Sequence, residues 1–328
     1  MHHGGRLADA CALFGGHPGD WLDLSTGINP QPWPVASAGA VDWAALPDAT
    51  ALARLEQSAA AFYGAAPSLC AAIPGSETGL RQLARILALP GLHQSLAYGT
   101  YRSAFARSDV ADDLSHLPPR ASVLVVGNPN NPDGRLLSRD AMAQMLRHQE
   151  RNDGWLVIDE AFADCDPAWS LASEVTPKRR LIVLRSFGKF FGLAGLRLGF
   201  AIAPPPILAA LREGLGDWPI HSAALAHATE AFADTAWIAA TRCNLSSQAR
   251  SLDHLLERHG LVPEGACPLF RLVRGSGAGE LFHPLAQRAI LTRPFADRPD
   301  LLRLGLPADD CGLRRLDVAL TEVRALHG

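Results

Sequence analysis

Apolar residues in the middle of the chain fall into short continuous runs separated by amphipathic stretches. Ala121–Gly127 reads ASVLVVG, a β-branched run of strand length, and it stops at Asn128-Pro129-Asn130-Asn131-Pro132-Asp133-Gly134, a turn cluster that no regular element can contain. Ser138 is placed to cap a helix reaching about Gln149, with Ala141, Met142, Met145 and Leu146 at helical spacing. Trp155–Ile158 predicts a second buried strand ending at Asp159-Glu160, Leu181–Leu184 a third ending at Arg185-Ser186, and Leu198–Ile202 a fourth. Strands that are apolar throughout and alternate with helices predict an α/β fold, a mostly parallel sheet covered by helices on both faces.

The same pattern divides the chain. Asn29–Leu46, rich in Pro and Trp, reads as irregular, and a long helical stretch from about Ala223 to His259 links a large domain to a smaller α+β one holding Arg293 and Arg303. The expected organisation is an N-terminal arm over 1–45, a large domain over 46–225 and a small C-terminal domain over 226–328 that begins with the interdomain helix. Polar residues gather just after the carboxyl ends of the predicted strands, at Asn131, Asp159, Ser186 and Lys189, which is where open α/β sheets bind ligands.

Composition narrows the function classes. The chain has 328 residues, 48% of them hydrophobic, and a formal net charge of −3, which describes a globular protein without a basic field for nucleic acid. No apolar run approaches the roughly 18–20 residues that cross a bilayer, and Met1-His2-His3-Gly4-Gly5-Arg6 lacks the apolar core of a signal peptide, so a cytoplasmic location is expected. Six scattered cysteines contain no CxxC pair, and the 12 histidines contain no HExxH, so no metal site is expected. Of the 30 basic residues only Lys178 and Lys189 are lysines. Lys178, beside Arg179 and Arg180, reads as a solvated charge, whereas Lys189 sits among aromatics and glycines in Phe187-Gly188-Lys189-Phe190-Phe191-Gly192, a costly place for an ammonium unless it is paired or its pKa is depressed.

No GxxxxGK[ST] occurs, and Gly192-Leu193-Ala194-Gly195-Leu196-Arg197-Leu198-Gly199 misses the GxGxxG spacing. Pyridoxal phosphate fits better, because separate segments each carry something it needs. Its pyridinium nitrogen needs a carboxylate, Asp159; its 3-oxygen needs a donor, Asn131; its aldehyde needs an amine of lowered pKa, Lys189. Its phosphate needs donors, which Ser186, Arg197 and the helix-opening turn Gly75-Ser76-Glu77-Thr78 could supply, and its ring needs a stacking face, Tyr98. Each residue alone has a bland reading: Asp159 and Ser186 as caps, Asn131 as a turn residue, Tyr98 as core. Their joint order and spacing carry the cofactor expectation.

With GNPNNPDG, VIDEAF and LRSFGKFFGLAGLRLGF in one chain, the sequence resembles the fold-type-I pyridoxal-phosphate enzymes, and within them the histidinol-phosphate aminotransferase-like group. The resemblance covers nearly the whole chain. It implies that Lys189 is the Schiff-base lysine, Arg197 the phosphate-binding arginine, Asn131 and Asp159 the ring ligands, Tyr98 the stacking aromatic, and Arg303 the arginine for the substrate α-carboxylate.

Aminotransferases of the group read DEAY where this chain has Asp159-Glu160-Ala161-Phe162, so the phenol that would meet the cofactor 3-oxygen is missing at Phe162. In this the chain resembles the threonine-phosphate decarboxylases of cobalamin biosynthesis, as it does in His3-Gly4-Gly5-Arg6, similar to their HGGN, and in LDLSTGINP, similar to their LDFSANINP. That resemblance implies decarboxylation of L-threonine O-3-phosphate to (R)-1-amino-2-propanol O-2-phosphate and CO2. It also implies an N-terminal arm over the active site, with His3 and Arg293 on the substrate phosphate and Asn29 lining the arm. The implied partners are the small-molecule substrate, a second copy of the chain in a homodimer, and another corrin-pathway enzyme, with neither nucleic acid nor membrane. Arg6 stands where the family often has Asn, and Leu46 where relatives carry a tyrosine that reaches the partner's cofactor phosphate, which puts that cross-subunit contact in doubt. The second reading is a histidinol-phosphate-type aminotransferase; a non-enzymatic sensor would predict decay at Lys189, Asp159, Asn131 and Arg197, all of which are present.

Overall fold

The computed structural model describes residues 4–35 and 41–325. They form two compact units, one built from the described residues of 32–131 and 136–239, the other from those of 1–31, 132–135 and 240–328. The residues expected as an N-terminal arm are therefore divided between the units at Gln31/Pro32.

The larger unit is organised by a seven-stranded sheet. Its strands are β1 (Cys70–Ile73), β2 (Gly91–His93), β3 (Ser108–Val110), β4 (Val123–Gly127), β5 (Trp155–Asp159), β6 (Leu181–Ser186) and β7 (Gly199–Ile202), in the order β1-β7-β6-β5-β4-β2-β3. The pairings β2–β3, β2–β4, β4–β5 and β5–β6 are parallel, as the apolar runs predict. β7 departs from that pattern: it runs antiparallel to both β6 and β1. The chain between β6 and β7 holds only the short helix Phe187–Phe190 and a turn, with no helix long enough to cross back over the sheet as a parallel neighbour requires.

Both faces of the sheet are covered. On one, Ile73, Val123, Val125, Val157, Ile182 and Leu184 pack with Leu80 and Leu83 of the helix Ser76–Leu87. Elsewhere the unit is held by aromatic rings: Phe187 stacks on Phe191 at 4.4 Å and Phe191 on Trp237 at 5.6 Å, with Phe62, Tyr63, Phe200 and Phe232 around them. Ser138 caps the helix Arg139–Arg151 by accepting the Ala141 N–H at 3.1 Å, and its apolar positions Met142, Met145 and Leu146 are buried.

The long helical stretch is two helices, Ser222–Ala233 and Thr235–Arg258. Asp234 divides them, its Oδ1 accepting the Trp237 N–H at 3.0 Å and its Oδ2 the Trp33 indole N–H at 3.1 Å. A short acidic side chain competes for helix N–H groups and restarts the helix as its cap.

The smaller unit is α+β. A four-stranded sheet runs in the order Arg293–Pro294, Leu301–Gly305, Phe270–Arg274, Pro263–Glu264, all neighbours antiparallel. Leu22–Asp23 pairs in parallel with Ile290–Leu291, which ties the N-terminal segment to this unit, and the helices Leu7–Phe14 and Asp310–Ala325 complete it. Among the described residues no helix is long and apolar enough to cross a membrane.

Candidate active site

Three parallel strands end side by side at the carboxyl edge of the large sheet, and most of the expected chemistry follows them. β4 leads into Asn131, β5 ends on Asp159, and β6 ends on Ser186, three residues before Lys189 in the helix Phe187–Phe190. The turn after β4 is fixed by its own amides. Asn128 donates to Trp169 O at 3.1 Å and accepts from Leu137 N at 2.9 Å, while Asn130 donates to Leu96 O at 2.9 Å.

Asp159 accepts two hydrogen bonds, from the Tyr101 phenol to Oδ2 at 2.9 Å and from the Ala161 N–H to Oδ1 at 3.1 Å. Burial raises its carboxyl above the ordinary range, opposed by those two donors and by the positive charges of Lys189 and Arg185. Phe162 is buried, and the Lys189 ammonium lies 6.0 Å from the centre of its ring.

A second group surrounds Gly75. Its φ of +89° is a left-handed value that favours glycine, and a Cβ there would come within 3.1 Å of Arg197 Nη2. The helix Ser76–Leu87 opens immediately after it, and Gly199, which pairs with Ser186 across β6 and β7, lies so close that a Cβ would be 2.7 Å from Ser76 N. Arg197 and the first N–H of the helix therefore lie beside Gly75 and Gly199, with Ser186 in register with Gly199, surroundings suited to an anion. Thr78 lies partly buried in the first turn of that helix.

Glu77 has a different environment from Ser76. Its carboxylate accepts from Tyr98 OH at 3.0 Å, from Thr100 Oγ1 at 3.2 Å and from Arg81 Nη2 at 3.1 Å, so it anchors the Tyr98 ring from behind. Burial works to raise the Glu77 pKa, but the hydrogen bonds from Arg81, Tyr98 and Thr100 outweigh it and the net shift is downward.

Asn29, Arg293 and Arg303 belong to the smaller unit. Arg293 and Arg303 face each other in register on antiparallel strands, so both side chains leave the same face of the sheet. Arg303 is buried, donates to Ser25 O at 2.9 Å and lies 5.1 Å from the centre of the Phe270 ring; Arg293 lies 5.2 Å from that of Phe295. The N-terminal glycines rest on the same residue: Gly5 N donates to Ser25 Oγ at 2.7 Å, and Gly4 is so close to Ser25 O that a Cβ would be 2.2 Å from it. Asn29 is buried and accepts from Gln31 N at 2.9 Å. His3 lies outside the described residues, and Leu46 is exposed.

The aminotransferase class I and II family profile matches residues 105–310, a span that holds Asn131, Asp159, Ser186, Lys189 and Arg197. The chain belongs to this family. Within it, the chain is 38% identical to a threonine-phosphate decarboxylase from a Sinorhizobium species, over 98% of each, and 38% identical to one from Pseudomonas aeruginosa, over 98% of this chain and 97% of the relative. Among solved structures of the fold, histidinol-phosphate aminotransferase from Sinorhizobium meliloti in complex with pyridoxal-5'-phosphate superposes with a TM-score of 0.83 at 20% identity, covering 97% of this chain and 94% of that one. L-threonine-O-3-phosphate decarboxylase from Porphyromonas gingivalis gives 0.78 at 17% identity, covering 93% and 99%.

Two features near these strand ends escape sequence reasoning. One is Tyr101, whose i, i+3 spacing from Tyr98 is the only local signal of its place. The other is a buried charge cluster behind the strand ends, in which Arg185 pairs with both Glu160 and Asp164. Ser170 Oγ and Leu171 N donate to Glu160 at 2.6 and 2.7 Å, and the Arg185 guanidinium lies 4.5 Å from the centre of the Tyr63 ring.

Proposed function

We propose that this chain is a pyridoxal-phosphate-dependent carboxy-lyase that converts L-threonine O-3-phosphate to (R)-1-amino-2-propanol O-2-phosphate and CO2, supplying the aminopropanol linker of cobalamin. The observation that carries the reading is the end-to-end correspondence with two threonine-phosphate decarboxylases. Histidinol-phosphate aminotransferase 1 of Bradyrhizobium diazoefficiens, at 34% identity, matches only 64% of the chain.

The large unit's residues fit the cofactor. Lys189 Nζ holds it covalently, Asp159 meets its ring nitrogen, Asn131 its 3-oxygen and Tyr98 its face, while Phe162 presents a ring edge with no phenol. Arg197, Ser186 and the N–H groups at Ser76–Thr78 take its phosphate; Glu77 serves by fixing Tyr98. When bound, pyridoxal phosphate supplies a cationic conjugated ring that accepts the electron pair left when CO2 departs.

The smaller unit's arginines suit a substrate with two anionic ends. Arg303 grips the α-carboxylate, and Arg293 with His3 takes the substrate phosphate, with Asn29 lining the arm. The direction in which Arg303 would hold the α-carboxylate would decide between decarboxylation and loss of the Cα proton. Lys189 Nζ, freed when the substrate amine takes its place, would be the group to deliver to Cα the proton that replaces CO2. The same reading supports a cytoplasmic homodimer and association with another corrin-pathway enzyme.

Substrate choice tests the proposal. Purified protein with pyridoxal phosphate should consume L-threonine O-3-phosphate with release of CO2 and leave histidinol phosphate untouched when 2-oxoglutarate is present. Transamination of histidinol phosphate without decarboxylation would overturn it in favour of the aminotransferase. Arg303→Ala should raise KM for L-threonine O-3-phosphate at least tenfold, an order of magnitude for one charge-assisted hydrogen bond, while the visible band of bound cofactor persists. Loss of that band would remove Arg303 from the substrate role.

A further inference from the structure

We propose that Tyr101 is a positioning residue for Asp159, its phenol fixing the carboxylate that meets the cofactor ring nitrogen. The inference rests on the cofactor reading above and is independent of which reaction the enzyme performs. Three observations carry it. First, Tyr101 is almost fully buried, and its hydroxyl donates to Asp159 Oδ2 at 2.9 Å across 58 residues of sequence. With the Ala161 N–H on Oδ1, each carboxylate oxygen holds one neutral donor, so the plane of the group is set and a lone pair on either oxygen stays available to a cation.

Second, the backbone makes room for this contact. Gly127 ends β4 directly opposite Asp159 in the parallel register, and a Cβ at Gly127 would stand 3.1 Å from the Tyr101 hydroxyl. Third, the Tyr101 ring meets the Tyr98 ring edge-on, centroids 5.8 Å apart at 84°. One side chain therefore supports both the carboxylate proposed for the ring nitrogen and the aromatic proposed for the ring face.

The test is Tyr101→Phe, which keeps the ring and removes one oxygen. A hydrogen bond to a charged group corresponds to roughly a tenfold effect or more. Titration of apoprotein with pyridoxal phosphate should show about tenfold weaker binding in Y101F than in wild type, with the fold intact by circular dichroism. Turnover of L-threonine O-3-phosphate should lose kcat about tenfold, with KM within about twofold. In an Asp159→Ala background, where the phenol has no carboxylate to hold, adding Y101F should change cofactor affinity less than about twofold.

Unchanged cofactor affinity in Y101F would overturn the proposal. So would an equal tenfold loss in the Asp159→Ala background, which would place the effect in packing against Tyr98. Should Y101F not fold, Tyr101→His keeps a ring that can donate a hydrogen bond, and the same comparison with and without Asp159 decides. Because cofactor affinity is measured without substrate, an error in the decarboxylase reading leaves this test standing. If wild-type apoprotein does not take up pyridoxal phosphate, the cofactor reading itself fails.

Discussion

Gly75 shows how closely single residues are constrained at this site. Its positive φ costs an L-residue about 1–3 kcal/mol, and a methyl group would sit 3.1 Å from Arg197 Nη2. Gly75→Ala should therefore displace the guanidinium and weaken pyridoxal phosphate binding at least tenfold, read by titration of the apoprotein. Glu77 gives a pH prediction. Its folded pKa lies below the 4.5 of the free group, so its contribution to stability is present above pH 4.5 and lost as pH falls through the lower folded value. Acid unfolding of Glu77→Gln should accordingly lose part of the wild-type slope in that window. Lys189, Asp159, Asn131 and Ser186 are legible in the sequence because each follows an apolar strand and differs sharply from its neighbours. Tyr101 is not, because its partner lies 58 residues away and only the stacking of β4 beside β5 brings them together.

At the scale of elements, the strand ends are held by charge as well as by ladder hydrogen bonds. Glu160 follows the last residue of β5 and Arg185 is the penultimate residue of β6, so their buried pair clamps the two strands that carry Asp159 and Ser186. Removing one partner of such a cluster leaves a buried charge uncompensated, at a cost of about 3–5 kcal/mol. Arg185→Leu, which leaves the buried Glu160 and Asp164 carboxylates without their cation, should lower stability in urea by that amount, while an exposed pair such as Arg139–Glu174 should be worth less than about 1 kcal/mol. The strands β4, β5 and β6 follow from continuous apolar runs. The antiparallel sense of β7 does not, since its run is as apolar as those of the parallel strands, and the break at Asp234 is visible only once its carboxylate is seen capping the next helix.

For the whole molecule, two units of different architecture each carry candidate chemistry. The larger holds a lysine, a carboxylate and a glycine-lined helix start; the smaller holds an in-register arginine pair and the glycines against Ser25. Residues 1–31 and 240–328 share a unit because Leu22–Asp23 pairs with Ile290–Leu291, a contact between segments too far apart in sequence for local patterning to reveal. If the large unit holds pyridoxal phosphate, cofactor at a hundred times its Kd should stabilise the fold by about 2.7 kcal/mol, seen as a rise in Tm that Lys189→Ala diminishes.

The central claim concerns the carbon–carbon bond that breaks. L-Threonine O-3-phosphate labelled with 13C in its carboxylate, mixed with cofactor-loaded enzyme and no keto acid, should release label as CO2 and bicarbonate over many turnovers. Unlabelled (R)-1-amino-2-propanol O-2-phosphate should appear in equal amount. Label retained in a keto acid, formed to at most one equivalent per active site unless an amino acceptor is supplied, would contradict decarboxylation and make the enzyme an aminotransferase.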